Sequence, residues 1–497
     1  MTENGSPQRQ SLFKRITGRF WKGEEDSVTY KKIIGITWPA FIELLLASMF
    51  GMIDLAMVGR LDDPAAISGI GLTGQPVNLL IAVFAAVNVG TTTLVSWGYG
   101  AGERKRTSFI TKQAILLNCL LGLVSMTLGL LGNAGIINFM MNTETAQDPI
   151  QAARAVEHGI VYMRIMCWGL PFQAITMCIT AALRGCGQSR IPMVYNVSAN
   201  LANVVMNYIM IYGKFGFPAM GVAGAALSTS ISRALACAAA VLVVVFWKDS
   251  PVHLRIKESW RPCFKTMKEM VTIGLPAAGE QFVIQTGLMM YQKIITTLGV
   301  DSHAAHQVAA SINGMVWSIA QAFAVCTSAL VGQSIGAEDT DAATRYCLFA
   351  RRLARLSTAV VSVLFVVFAR PLVSVFTPSE SVIEIAIPVL FVLAVTEFIQ
   401  SNLMSTTGAL RGAGDTMYPL YASIIGIWGF RLALAWVFVN VFHWGLVGAW
   451  CSYLIDQFVR DLFIQRRFRS GKWRFMRKKP RLAAAADDDI DIDAGAI

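Results

Sequence analysis

The sequence predicts an all-helical integral membrane protein, with about twelve transmembrane helices arranged as two parallel six-helix repeats around a central cavity. Three observations carry this: an apolar composition, the length of the apolar runs, and an internal duplication. Of 497 residues, 55% are hydrophobic and only 15% charged, with a mean hydropathy of +0.53. A soluble globular chain carries about 25% charged residues. Apolar runs of roughly 20 residues recur, enough to cross a bilayer as helices. Membrane-barrel strands would alternate polar and apolar residues over about ten positions, and these runs do not.

Hydropathy places the first six spans near 33–58, 72–97, 108–132, 156–183, 190–212 and 219–247. The other six fall near 268–298, 307–335, 345–369, 381–410, 418–442 and 445–465. Residues 1–32 then form a cytoplasmic N-terminal segment and 33–247 a first lobe. Residues 248–267 are a cytoplasmic linker, 268–465 a second lobe, and 466–497 a basic then acidic cytoplasmic tail.

With both termini cytoplasmic, most of the 42 Lys and Arg lie inside. Only about four (Arg60, Arg154, Lys214 and Arg370) fall outside, the bias expected of a multi-pass plasma-membrane protein in this orientation. The net charge of +11 therefore reads as topology and as attraction to anionic lipid at the cytoplasmic face. Nucleic acid is not an expected partner, because no separately folded basic surface is visible. The polar first 32 residues hold no cleavable signal peptide. Their piece SLFKRITGRFW either lies on the cytoplasmic leaflet as an amphipathic helix or is a plain tail. The stretch RRFRSGKWRFMRKKPRL is expected at anionic lipid, and AAAADDDIDIDAGAI is expected to be disordered. Nine scattered cysteines without a CxxC spacing give neither a disulfide framework nor a zinc site.

The duplication fixes the architecture. WPAFIELLLASMFGMIDLAMVGRL at 38–61 aligns with LPAAGEQFVIQTGLMMYQKIITTL at 275–298, so that Pro39 meets Pro276 and Glu43 meets Glu280 at a shift of 237. TLVSWGYGAG aligns with ALVGQSIGAE at a shift of 236, and ALRGCG at 182–187 with ALRGAG at 409–414 at a shift of 227. GVAGA at 221–225 answers GLVGA at 445–449. Six helices return the chain to its starting side, so the halves share one orientation and enclose a cavity between them. Such lobes suit a carrier that rocks around a central site.

Other classes lack their signatures. No GxxxxGK[ST] phosphate loop is present, nor HExxH, GxSxG or a paired His/Cys cluster, so an enzyme is not expected. The GxGxxG of Gly69, Gly71 and Gly74 opens a span and follows no strand; close helix approach is the better reading.

Four stretches together resemble the multidrug and toxic compound extrusion (MATE) family, in its bacterial NorM/DinF-like branch. They are the Pro39-to-Gly59 segment ending in IDLAMVGRL, VGQSIGAED, AAHQVA at 304–309, and the paired ALRGxG turns. The resemblance covers nearly all of 33–465. It implies a secondary antiporter exporting amphipathic organic cations in exchange for H+ or Na+, with no cofactor and as a monomer. Alternatives are a lipid-linked oligosaccharide flippase of related architecture, which the few intramembrane Lys and Arg oppose, and a non-transport receptor or enzyme, which the duplication opposes.

Two acids stand in the first span. Glu43 and Asp54 are 11 residues apart, so they share a helical face, about 20° and 16 Å apart. That face must meet the bundle or a wet cavity, because a lipid-facing charge is costly. Pro39 and Pro276 are candidate kinks. The resemblance implies a first-lobe coupling site with Asp54 as the acid, Asn203 and Asn207 on the fifth helix and Thr229 on the sixth, with Na+, where that is the ion, at Asp54. The asparagines read equally as interhelical glue. Some relatives carry a second acid at the position of Asn207.

In the second lobe Tyr291 replaces Asp54, and Ile284 and Gln400 stand where sodium-coupled relatives carry acids, so a second cation site is not expected. Glu43 and Glu280 are candidates for substrate or gate duty, or for capping backbone freed near the prolines. Gln281, Gln285, Asn313 and Gln400 are candidate cavity linings. Lys293 is expected to snorkel. Arg431 can pair with Glu397 or Asp456, or reach the interface.

Overall fold

The computed structural model describes residues 24–60, 64–140, 149–247, 250–254, 260–377 and 379–476. The N-terminal amphipathic piece, much of the linker and the acidic tail lie outside the described residues. Among the described residues the chain is helical, with no strand. The first lobe holds α1 (Glu24–Gly59), α2 (Pro64–Gly100) and α3 (Arg104–Met140). It continues with α4, whose segments Pro149–Trp168 and Leu170–Gly185 bend by 49°, then α5 (Arg190–Tyr212) and α6 (Gly221–Phe246). The second lobe holds α7 (Phe264–Thr296), α8 (Val300–Gly336) and α9 (Thr340–Val367, with a short extension Ala369–Ser374). It ends with α10 (Glu380–Gly412), α11 (Met417–Asn440) and α12 (Gly445–Arg469).

By length and apolarity alone seven of these helices, or eight counting the bent α4, would cross a membrane. The remainder, α5, α7, α9 and α12, are as long as their neighbours but richer in polar groups. Much of that polarity is turned inward: Asn203, Asn207, Glu280, Asp456 and Arg460 are buried. Bilayer-spanning bundles associate through close packing and interhelical polar contacts, not through expulsion of water.

Bends fall where backbone hydrogen bonds are missing. α4 breaks at Gly169, two residues before Pro171, because proline supplies no N–H and clashes with the preceding turn. α1 and α7 run as continuous helices through Pro39 and Pro276. In α11 residues Ile424–Leu432 form a π-helix. Beyond α12 the chain turns at Gly471, and Trp473 stacks on Phe468 with centroids 5.0 Å apart. The first part of the basic tail is thus docked on the bundle, with Arg467 paired to Asp415 at 2.6 Å.

The lobes meet at one end only. Three apolar clusters mix the halves: Met270 joins first-lobe residues such as Leu94 and Ile179, Trp97 packs on Val331 and Leu410, and Ile33 and Ile36 pack on Phe323 and Leu330. All lie towards the end bearing both described termini. The clusters at the opposite end are confined to one half, as with Tyr291, Ile312 and Trp450, or with Phe84, Met163 and Leu170. The molecule is closed at the terminal end and parted at the other.

Candidate functional site

Between the lobes lies a cavity of about 610 Å³, walled by α1, α2, α4, α5 and α6 on one side and by α8 and α10 on the other. Asp54 and Glu43 both reach it from α1, as their common helical face requires. Asn203 and Thr229 also line it, with Asn207 buried behind.

Around Asp54 the structure brings all four expected residues together. Asn207 Nδ2 donates to Asp54 Oδ1 at 2.6 Å. With its NH2 oriented to the carboxylate, Asn203 donates to Asp54 at 2.9 and 3.1 Å and accepts the Thr229 N–H at 3.2 Å. Ser228 Oγ donates to Asn207 Oδ1 and fixes which way that amide faces. Ser228 was not legible in advance, because its role depends on how α6 packs on α5. The site is therefore arranged to hold a bare carboxylate: amide donors converge on it while amide oxygens are occupied elsewhere.

The second acid belongs to a twinned arrangement. Glu43 pairs with Arg184 at 2.8 Å and accepts from Asn196 Nδ2 at 2.7 Å. Glu280 pairs with Arg411 at 2.6 Å and accepts from Ser423 Oγ at 3.3 Å. Arg184 and Arg411 differ by 227 positions, and so do Asn196 and Ser423. Each triad joins the proline-bearing helix of its lobe to the ALRGxG turn. The arginines of those turns, used above only to align the halves, are the partners of the acids. Neither glutamate caps freed backbone.

The two α1 acids also form rungs on α5. Asp54 meets Asn207 and Glu43 meets Asn196, each pair separated by 153 positions. Three turns on one helix match three turns on the other, so α1 is docked along α5 by two carboxylate–amide contacts.

In the second lobe the position of Asp54 is filled differently. Tyr291 is buried, and the Arg431 guanidinium sits 5.9 Å from its ring and 4.4 Å from that of Tyr453. Arg431 donates to Asp456 at 2.9 and 2.5 Å, and Arg460 pairs with the same carboxylate at 3.0 Å. Of the three fates open to Arg431, pairing with Asp456 is the one adopted. Gly426 makes room for it, since a Cβ there would overlap Asp456 and Arg460. Glu397 is fully buried with neither oxygen hydrogen-bonded.

Gln400 accepts from Tyr453 at 2.9 Å, and Asn313 donates to the same hydroxyl at 3.5 Å. Neither lines the cavity described here, nor do Gln281, Gln285 or Glu280. Glu280 is turned instead to Arg411 at the end of α10 and to Ser423 on α11. Lys293 is exposed near the end of α7, as snorkelling requires.

The MatE family model matches residues 39–209 and again 276–437, one match per lobe. The chain belongs to the MatE family. A probable multidrug resistance protein NorM of Thermotoga maritima is 31% identical over 465 residues, covering 94% of this chain and 97% of that protein. An uncharacterized transporter, YisQ, of Bacillus subtilis is 27% identical over 441 residues, covering 89% and 94%. Among solved structures, the outward-facing conformation of a multidrug resistance MATE family transporter superposes with a TM-score of 0.82 at 21% identity, covering 90% of this chain and 96% of that one. The protein is thus a MATE-family membrane transporter of the two-lobe, twelve-helix type, and not an enzyme.

Proposed function

We propose that this MATE-family protein exports amphipathic organic cations and related toxic compounds across the cell membrane in exchange for protons. Its termini are cytoplasmic, it works as a monomer, and the closed end of the cavity faces the cytoplasm. The observation that carries the reading is Asp54, a carboxylate on the cavity wall held by the side-chain amides of Asn203 and Asn207. Such a group has two accessible states in a membrane, charged and solvated by dipoles, or protonated. Protonation removes the charge that strengthens the amide contacts and leaves one carbonyl acceptor in place of a carboxylate, so the Asp54–Asn207 contact weakens and the outer rung between α1 and α5 is loosened. A positively charged cargo and a proton compete for the same negative charge, which is the requirement for exchange.

Sodium fits the donor set less well. A sodium ion needs several oxygens, whereas both asparagines present nitrogen to Asp54, and Asn207 Oδ1 is engaged by Ser228. Among the described residues no group of three His, Cys, Asp or Glu side chains could hold a metal. Cavity size favours small molecules: about 610 Å³ falls within the roughly 300–1,000 Å³ of small-ligand sites. The cavity does hold three arginines, more than the sparse basic content of the spans suggests, but Arg184 and Arg411 are each matched by a glutamate. The deciding experiment is ethidium efflux from proteoliposomes under a proton or a sodium gradient, each imposed alone. Efflux under the proton gradient only is expected; sodium-driven efflux without a proton gradient would overturn the ion assignment, and no efflux under either would overturn export.

A further inference from the structure

The third cavity arginine has no counter-charge. Arg233 lies on α6 one turn below Thr229 and lines the same cavity. Its Nη1 is buried without a hydrogen-bond partner, and among the described residues no carboxylate pairs with it. Its stem rests against the break in α4, where Gly169 leaves room for it. Tyr162 and Cys167 are its electrostatic neighbours, and both are neutral groups. A second orphan faces the same space. Asn88 on α2 is only 6% exposed, and neither its nitrogen nor its oxygen has a partner.

A buried guanidinium without compensation is costly, and removing a charge from water is repaid only by an opposite charge and hydrogen bonds. The two glutamate–arginine pairs cancel. Asp54 and Arg233 are left as opposite charges on one cavity wall, separated in depth by roughly a helical turn, about 6 Å. We propose that Arg233 is an anion-binding subsite of the cavity, and that the preferred cargo is an amphipathic zwitterion with a carboxylate or similar oxyanion besides its cationic group. Arg233 takes the oxyanion through charge-assisted hydrogen bonds, and the cationic group lies toward Asp54. The inference rests on the export reading. It is compatible with exchange, because the coupling proton competes with the cationic group at Asp54 and not with the oxyanion. Met177, Ala85 and Ala236 supply an apolar surround, and Gln173 supplies a further donor.

The test compares two dyes that differ only at one group, a rhodamine free acid and its alkyl ester. Binding to the purified full-length protein is read by fluorescence polarisation, and export by efflux from proteoliposomes. The wild type should bind the free acid about tenfold more tightly than the ester, the scale of a hydrogen bond to a charged group. Arg233→Gln should bring the free acid down to the level of the ester, and Arg233→Lys should keep part of the preference. Equal binding of the two dyes by the wild type, or Arg233→Gln weakening both to the same degree, would overturn the subsite. Export of the ester without any preference sinks the subsite and leaves the export reading standing; no movement of either dye sinks both.

Discussion

Asp54 and Tyr291 occupy equivalent positions in the two repeats, and their surroundings have diverged as much as they have. Asp54 faces a cavity and meets only dipoles. Tyr291 faces a built-in cation, Arg431, whose charge Asp456 already answers. A mobile ion has a use in the first setting and none in the second. Asp54→Asn should therefore abolish proton-driven efflux while leaving membrane insertion and the monodispersity of purified protein intact. Cargo binding to the wild type should weaken as pH falls, because protons remove the charge that the cation needs, whereas binding to the variant should be flat with pH. Retained efflux in Asp54→Asn vesicles would sink the assignment. The acid itself was legible from its place within an apolar span, and Asn203 and Asn207 as its partners from the family resemblance on the fifth helix. The orientation of their amides was not, because it is set by Ser228 and Thr229 from another helix, and pairing across helices is not written in the local pattern.

The same limit operates at the scale of elements. The duplication could be read directly, yet the acid and arginine of each triad lie in stretches aligned by different shifts, 237 and 227. Only the fold shows that they meet. Once they do, their energetics follow from burial. Removing one partner of a buried ion pair leaves the other uncompensated and costs about 3–5 kcal/mol, whereas removing both costs far less. Glu280→Ala should lower the thermal unfolding temperature of the detergent-solubilised protein markedly, and Glu280→Ala with Arg411→Ala should recover much of the loss. The first-lobe pair, Glu43 and Arg184, should behave likewise. If double removal costs as much as the two single changes added together, the residues are not coupled and the triads are incidental. The twelve spans read from hydropathy match the twelve helices of the fold, although four of them, α5, α7, α9 and α12, fall short of a strict length-and-apolarity criterion. They keep polar groups that neighbouring helices satisfy, so composition alone understates how readily they sit in a bilayer.

For the molecule as a whole, the question is what keeps the terminal end shut while the other end is parted. The seal repeats the internal symmetry. Trp97 Nε1 donates to Gly412 O at 2.9 Å, and Gln333 Nε2 donates to Gly185 O at 2.8 Å. Trp97 and Gln333 are equivalent at the shift of 236, and Gly185 and Gly412 at 227. Each lobe thus reaches into the ALRGxG turn of the other, the turn whose arginine holds Glu43 or Glu280. Thr93 adds a bond to Arg411 O at 2.9 Å. The approach is possible because Gly100 and Gly336, also equivalent at 236, present no side chain: a Cβ on Gly100 would overlap the Gln333 carbonyl, and one on Gly336 the Trp97 carbonyl.

Three hydrogen bonds at about 1 kcal/mol each make a latch that a transport cycle can open, whereas a steric clash biases it directly. Overpacking by one methyl costs about 1–3 kcal/mol, and every 1.4 kcal/mol is tenfold in population. Gly100→Ala or Gly336→Ala should therefore shift the closed-to-open ratio at the terminal end by roughly tenfold. Spin labels at Arg104, the exposed first residue of α3, and at Ala337, exposed on the turn after α8, would report it as growth of a longer-distance population in pulsed dipolar spectra. Because the seal is symmetric, the two glycine variants should give the same shift. A change confined to one of them would show that a single lobe carries the latch.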